Sequence, residues 1–167
     1  MARNRKLNRL KNYDYSQAGH YYVTVCTKDR HECLGAIKDG AMIFNECGEI
    51  VDRYWAQIPQ HYGNVRLDEF VVMPNHVHGI IIIDGIVGTE HCSVPTIKLV
   101  SLSQIIKSFK DVTTKQIRSQ CGIHFSWQRS FHDHIIRDEY DLDRIREYIA
   151  NNPFKWDDDI ENQRQRL

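Results

Sequence analysis

Residues 71–84, Val71-Val72-Met73-Pro74-Asn75-His76-Val77-His78-Gly79-Ile80-Ile81-Ile82-Ile83-Asp84, are the most apolar run of the chain and carry two histidines one residue apart. Near-continuous apolar sequence of this length, broken only at Pro74-Asn75, reads as two antiparallel strands joined tightly and covered on at least one face. Extended backbone alternates its side chains, so His76 and His78 share a face and Val77 takes the other. Two imidazoles side by side on a rigid central strand can hold one divalent metal ion. Two partly buried core histidines would give the same spacing, and H-x-H alone does not separate the two readings.

The flanking sequence supplies the rest of a sheet. Tyr21-Tyr22-Val23-Thr24-Val25-Cys26-Thr27 is β-branched and aromatic, the composition of a strand. Cys33 to Ile37 and Ala41 to Phe44 flank Lys38-Asp39-Gly40, a hairpin signal. Asn45 is placed to cap a helix running to about Ile58, with Ile50, Val51, Tyr54, Trp55 and Ile58 at helical spacing and Pro59 as its stop. Residues 84–100 hold Gly85, Gly88, Ser93 and Pro95 and read as a loop. Ser101-Leu102-Ser103-Gln104 opens a helix with a capping box, and Leu102, Ile105, Ile106, Phe109, Val112 and Ile117 form its apolar stripe. A strand ends at Ile136, and Asp138 caps a last helix that ends near Asn152, ahead of Pro153. Hairpins outnumber crossovers, so the expected class is α+β: an antiparallel sheet with helices mainly on one face.

Length and charge bound the rest. A chain of 167 residues suits a single domain. Lys+Arg and Asp+Glu are both 22, but Arg3, Arg5, Lys6, Arg9 and Lys11 fall in a basic arm over residues 1–12, and residues 157–167 form an acidic, polar tail. A basic arm can follow a phosphate backbone. The five cysteines (Cys26, Cys33, Cys47, Cys92 and Cys121) show no C-x-x-C and suit reduced thiols in a cytoplasmic protein. No N-terminal segment reads as a signal peptide, and the Ile80–Ile83 run is too short to span a membrane.

The last helix adds a second half to a site. Tyr148 and Asn152, four residues apart, lie one above the other at the edge of the stripe made by Leu142, Ile145 and Ile149, with Arg144 one turn earlier. An amide carbonyl from a helix over the sheet can complete a metal site, and a tyrosine one turn away would then sit beside whatever the metal polarises. A free phenol ionises near pH ~10, so it needs a cation nearby to act as a nucleophile at neutral pH.

Pro74-Asn75-His76-Val77-His78 resembles the HUH motif: histidine, bulky apolar residue, histidine. Arg144-Ile145-Arg146-Glu147-Tyr148-Ile149-Ala150-Asn151-Asn152-Pro153 resembles the tyrosine helix of the single-tyrosine HUH transposases. Trp127 to Asp138, Tyr22 to Arg30 and Ile105 to Lys110 resemble the corresponding segments of the same group. The likeness spans most of residues 9–156 and is strongest to the REP-associated tyrosine transposases, with their IS200-like transposase domain. It implies a ferredoxin-like or RRM-like antiparallel sheet. It also implies cleavage and rejoining of single-stranded DNA through a 5′-phosphotyrosine link, with Tyr148 as nucleophile. His76, His78 and Asn152 would hold a divalent metal, Mg2+ or Mn2+. Asn152 stands where mobile relatives often carry glutamine, one methylene longer. The chain would work as a monomer or as a homodimer.

The partner implied is single-stranded or hairpin DNA. Arg3, Arg5, Lys6, Arg9, Lys11, Tyr13, Tyr15, Lys107, Lys110 and Arg129 are its candidate contacts, since basic grooves with aromatic platforms suit single strands. A second H-x-H, His132-Asp133-His134, also puts its histidines on one face; these read as strand-end surface or DNA-contact residues. Two rival classes remain: a non-catalytic single-stranded nucleic-acid-binding module on the same fold, and a metal-dependent hydrolase, for which barrel scaffolds need more chain or fewer helices than this.

Overall fold

The computed structural model describes residues 13–85 and 100–158. The basic arm with Arg3, Arg5, Lys6, Arg9 and Lys11, residues 86–99 of the expected loop, and residues 159–167 of the acidic tail lie outside the described residues.

Among the described residues, six strands and four α-helices follow in the order β1 (Gly19–Cys26), β2 (Gly35–Lys38), β3 (Ala41–Phe44), α1 (Glu46–Ala56), α2 (Ile58–His61), β4 (Val65–Met73), β5 (His76–Ile83), α3 (Leu102–Gln120), β6 (His132–Ile136) and α4 (Glu139–Asn151). A 3-10 turn over Pro153–Asp158 follows α4. Strands β4, β5, β1 and β6, in that spatial order, form one antiparallel sheet, and β2 and β3 form a separate hairpin. The hairpin turns at Asp39 and Gly40, both with positive φ (52° and 73°), the backbone that an Asp-Gly turn favours.

Strand alternation divides the sheet into two layers. Tyr21, Val23 and Val25 of β1 and Val77, Ile81 and Ile83 of β5 face α1 and α3, where Trp55, Ile105 and Phe109 close the main core. Gly79 is required by this packing: a Cβ there would stand 2.5 Å from the Trp55 ring. Ile80 and Ile82 of β5 and Ile136 of β6 face the other way and meet Ile145 and Ile149 of α4 in a smaller core. Helices thus lie mainly on one face, with α4 alone among the long helices on the other. Each isoleucine fully buried in this way contributes about 2 kcal/mol of apolar transfer.

The helix ends follow their local chemistry. Asn45 accepts from the Gly48 N–H, Ser101 and Gln104 form the reciprocal capping box, and Asp138 accepts from the Asp141 N–H. The expected run of the first helix to Ile58 is corrected: α1 ends at Ala56, and Pro59 sits in the first turn of α2, where its missing N–H is not needed. On α3, Thr113 is fully buried beside the expected stripe while Val112 is half-buried, because the Thr113 hydroxyl accepts the Trp127 indole N–H and donates to Phe109 O.

Candidate active site

The face under α4 carries the histidines. Across β1 and β5, Thr24 stands opposite His78 and Cys26 opposite His76; across β4 and β5, Val71 and Met73 flank the same pair. His76 and His78 are buried, and their Nε2 atoms are 2.9 Å apart. The His76 Nδ1–H donates to Asn75 Oδ1 (2.6 Å), which leaves its Nε2 with a lone pair aimed at His78. The other ring nitrogen of His78, Nδ1, lies 2.8 Å from the Tyr22 hydroxyl and 3.0 Å from the Thr24 hydroxyl.

Both imidazoles are held neutral. Burial pushes His76 well below the ordinary histidine range, helped by the neighbouring His78 and the Arg30 guanidinium. Burial pushes His78 down to about 3, with His132 and Arg30 adding in the same direction. Neutral imidazole is the form that ligates a metal.

The C-terminal segment closes over this pair. The Tyr148 ring meets the His78 ring edge-on, with centroids 5.3 Å apart, and the Trp156 ring stacks on His76 at 6.2 Å. Asn152 falls between them in the chain and is buried, and its Oδ1 has no hydrogen-bond partner among the described residues. Tyr148 stays 42% exposed although its ring meets a buried histidine. Arg146 anchors the helix: its guanidinium grips Asp68 of β4 through Nε (2.9 Å) and Nη2 (2.6 Å).

These donors fit a divalent ion. Among the described residues no group of three or more His, Cys, Asp or Glu side chains is gathered for a metal, so any third protein ligand beside the two histidines would be a donor of another kind. The buried, unpartnered Asn152 carbonyl oxygen is such a donor. Neighbouring ligands about 2.1 Å from an octahedral ion stand about 3 Å apart, close to the spacing of the two Nε2 atoms.

The second H-x-H shares this face. His132 and His134 pair opposite Thr24 and Tyr22. His134 Nε2 is 2.6 Å from Asp141 Oδ2, and Asp141 also accepts from Arg144. His132 is exposed and lies edge-on to Tyr22.

The DNA candidates divide. Tyr15 is buried and packs with Tyr13 and Tyr21, so it is a core residue and not a surface platform; Tyr13 is half-buried, with its hydroxyl 3.3 Å from that of Tyr21. The Lys110 ammonium donates to Gln128 O and Ser130 O and lies over the Phe131 ring, so it is committed inside the protein. Lys107 is exposed and pairs with Asp111, and Arg129 is exposed. Sequence reasoning missed Tyr22, Thr24 and Trp156. Parity put Tyr22 and Thr24 together on one face of β1, but only the β1–β5 register puts that face beside His78.

The antiparallel sheet with the histidine pair under a tyrosine-bearing helix is the frame on which the comparisons with known proteins agree. Residues 15–152 match the model of the IS200-like transposase family, and this chain belongs to that family. An uncharacterised protein of Haemophilus influenzae is 39% identical over 166 residues, covering 93% of this chain and 91% of its own. A second protein of that organism, assigned as a REP-associated tyrosine transposase, is 25% identical over 149 residues (87% of this chain, 77% of its own). The solved structure of a REP-associated tyrosine transposase bound to a REP hairpin shares the fold, with a TM-score of 0.59 over 89% of this chain and 73% of its own at 20% identity. No helix among the described residues is long and apolar enough to cross a membrane.

Proposed function

We propose that this protein nicks and rejoins single-stranded or hairpin DNA, with Tyr148 as nucleophile and a divalent metal, Mg2+ or Mn2+, held by His76, His78 and Asn152. The observation that carries the reading is the contact between the half-exposed Tyr148 ring and the buried His78 ring. Family membership and the hairpin-bound structural relative support DNA as the partner. Acting on chromosomal DNA, the protein would work in the cytoplasm.

In this reading the neutral imidazoles and the Asn152 carbonyl hold the ion without adding negative charge, which leaves its full attraction for the phosphate. When bound, a divalent ion supplies Lewis acidity at a non-bridging phosphate oxygen and offsets charge on the departing 3′ oxygen. The Tyr148 Oη forms a bond to phosphorus in line with the P–O3′ bond, which breaks. The phenol proton leaves, and the 3′ oxygen takes up a proton to become a free hydroxyl. A 5′-phosphotyrosine link remains, and attack by a 3′ hydroxyl reverses the step and restores the phenol without an external energy source.

The test is incubation with 3′-end-labelled hairpin DNA carrying single-stranded flanks, in Mn2+, followed by denaturing electrophoresis. A labelled adduct in the wild type and none in Tyr148→Phe is expected. An adduct in Tyr148→Phe removes Tyr148 from the mechanism. DNA binding with no adduct in the wild type leaves a non-catalytic binding module.

A further inference from the structure

Three hydrogen-bonding atoms stand in a triangle behind the site. His78 Nδ1 is 2.8 Å from the Tyr22 hydroxyl and 3.0 Å from the Thr24 hydroxyl, and the Thr24 hydroxyl donates to Tyr22 Oη over 3.2 Å. Thr24 is buried and Tyr22 half-buried, so water competes little for the Thr24 corner. The Thr24 proton is committed to Tyr22. With His78 Nε2 donating to the His76 Nε2 lone pair over 2.9 Å, His78 Nδ1 accepts from Tyr22; a metal taking the Nε2 lone pair would move the ring proton to Nδ1, against the Tyr22 and Thr24 oxygens. A proton on Nδ1 satisfies both hydroxyl oxygens at once.

We infer that Tyr22 and Thr24 are positioning residues that hold the His78 ring with its Nε2 toward His76 and accept the Nδ1 proton when Nε2 ligates a metal. This rests on the metal-site reading above. On the other histidine, Asn75 Oδ1 does the same for His76, so each imidazole has its own acceptor behind it. Tyr22 has a second geometric role. Its ring stacks on His78 (centroids 5.7 Å, 24°) and meets the Tyr148 ring edge-on at 6.4 Å. One side chain therefore sets both the donor nitrogen and the ring that carries the candidate nucleophile.

The experiment is titration with Mn2+ alone, read by the loss of the free-ion EPR signal, on wild type, Tyr22→Phe, Thr24→Val and Thr24→Ser, with thermal melts of each metal-free protein. Loss of an outer hydrogen bond to a ligating histidine weakens metal binding by about 10- to 100-fold. The expected result is Mn2+ affinity weakened about tenfold or more in Tyr22→Phe and Thr24→Val, with Thr24→Ser close to wild type. A Tyr22→Phe or Thr24→Val protein that melts normally and binds Mn2+ like wild type overturns the inference. A wild type that binds no Mn2+ overturns the metal site beneath it, a different and distinguishable failure. If Tyr22→Phe does not fold, the Val and Ser variants at position 24 still decide, because they differ in the hydroxyl.

Discussion

Burial keeps His76 and His78 uncharged in the fold, whereas both ionise as ordinary histidines once the chain unfolds. A folded-state pKa held below the unfolded one contributes stability that is fully present above the unfolded value and is lost as pH falls through the folded value. For His78 that window runs from the ordinary 6.5 down to about 3. Denaturant melts of the metal-free protein should therefore lose stability steadily below pH 6.5, and His78→Gln should flatten that slope. A profile of the same steepness in the variant would assign the acid loss to other groups. At this scale the sequence was informative about type and parity: H-x-H and Tyr-x3-Asn were both visible as same-face pairs. It was silent on Tyr22 and Thr24, whose meaning comes from the strand opposite, and misleading on Tyr15, an aromatic that the core absorbs.

Helix α4 is the element on which the site depends, and two kinds of contact hold it. Ile145 and Ile149 bury against Ile80 and Ile82, and Arg146 spans to Asp68 of β4. Ile149→Ala should cost about 2–5 kcal/mol in chemical denaturation, since a buried isoleucine leaves a cavity. Asp68→Asn should cost only about 1 kcal/mol, because the Arg146 side chain is 41% exposed and water screens the pair. The arginine beside Asp68 holds its carboxyl below the usual range, so that contribution is present above about pH 4 and is lost as pH falls further. A cost for Asp68→Asn larger than for Ile149→Ala would reverse this ranking. Element boundaries with explicit side-chain caps, at Asn45, Ser101 and Asp138, were legible because the capping chemistry is local. The end of α1 was not, since Pro59 serves equally as a stop or as a first-turn residue, and the choice belongs to the packing of Ile58.

For the molecule as a whole, the sheet holds the two histidines and the closing segment meets them through Tyr148 and Trp156 only in the folded state, so the proposed metal would bind the native state and couple to folding. A ligand present at a hundred times its dissociation constant stabilises the native state by about 2.7 kcal/mol. Saturating Mn2+ should raise the wild-type melting temperature and leave a His76→Ala, His78→Ala protein unmoved; an equal rise in both would place the ion elsewhere. The α+β class was legible because hairpins outnumber crossovers in the pattern. The side of the sheet on which α4 lies was not, because its stripe of Leu142, Ile145 and Ile149 is equally suited to either face. That placement gives the protein an internal optical probe. Of its three tryptophans, Trp55 and Trp127 are buried in the main core, while Trp156 lies on the opposite layer against His76. Ligand arrival at the histidines should therefore change the emission of Trp156 alone, and the change should vanish in Trp156→Phe, so occupancy can be followed in real time without a label.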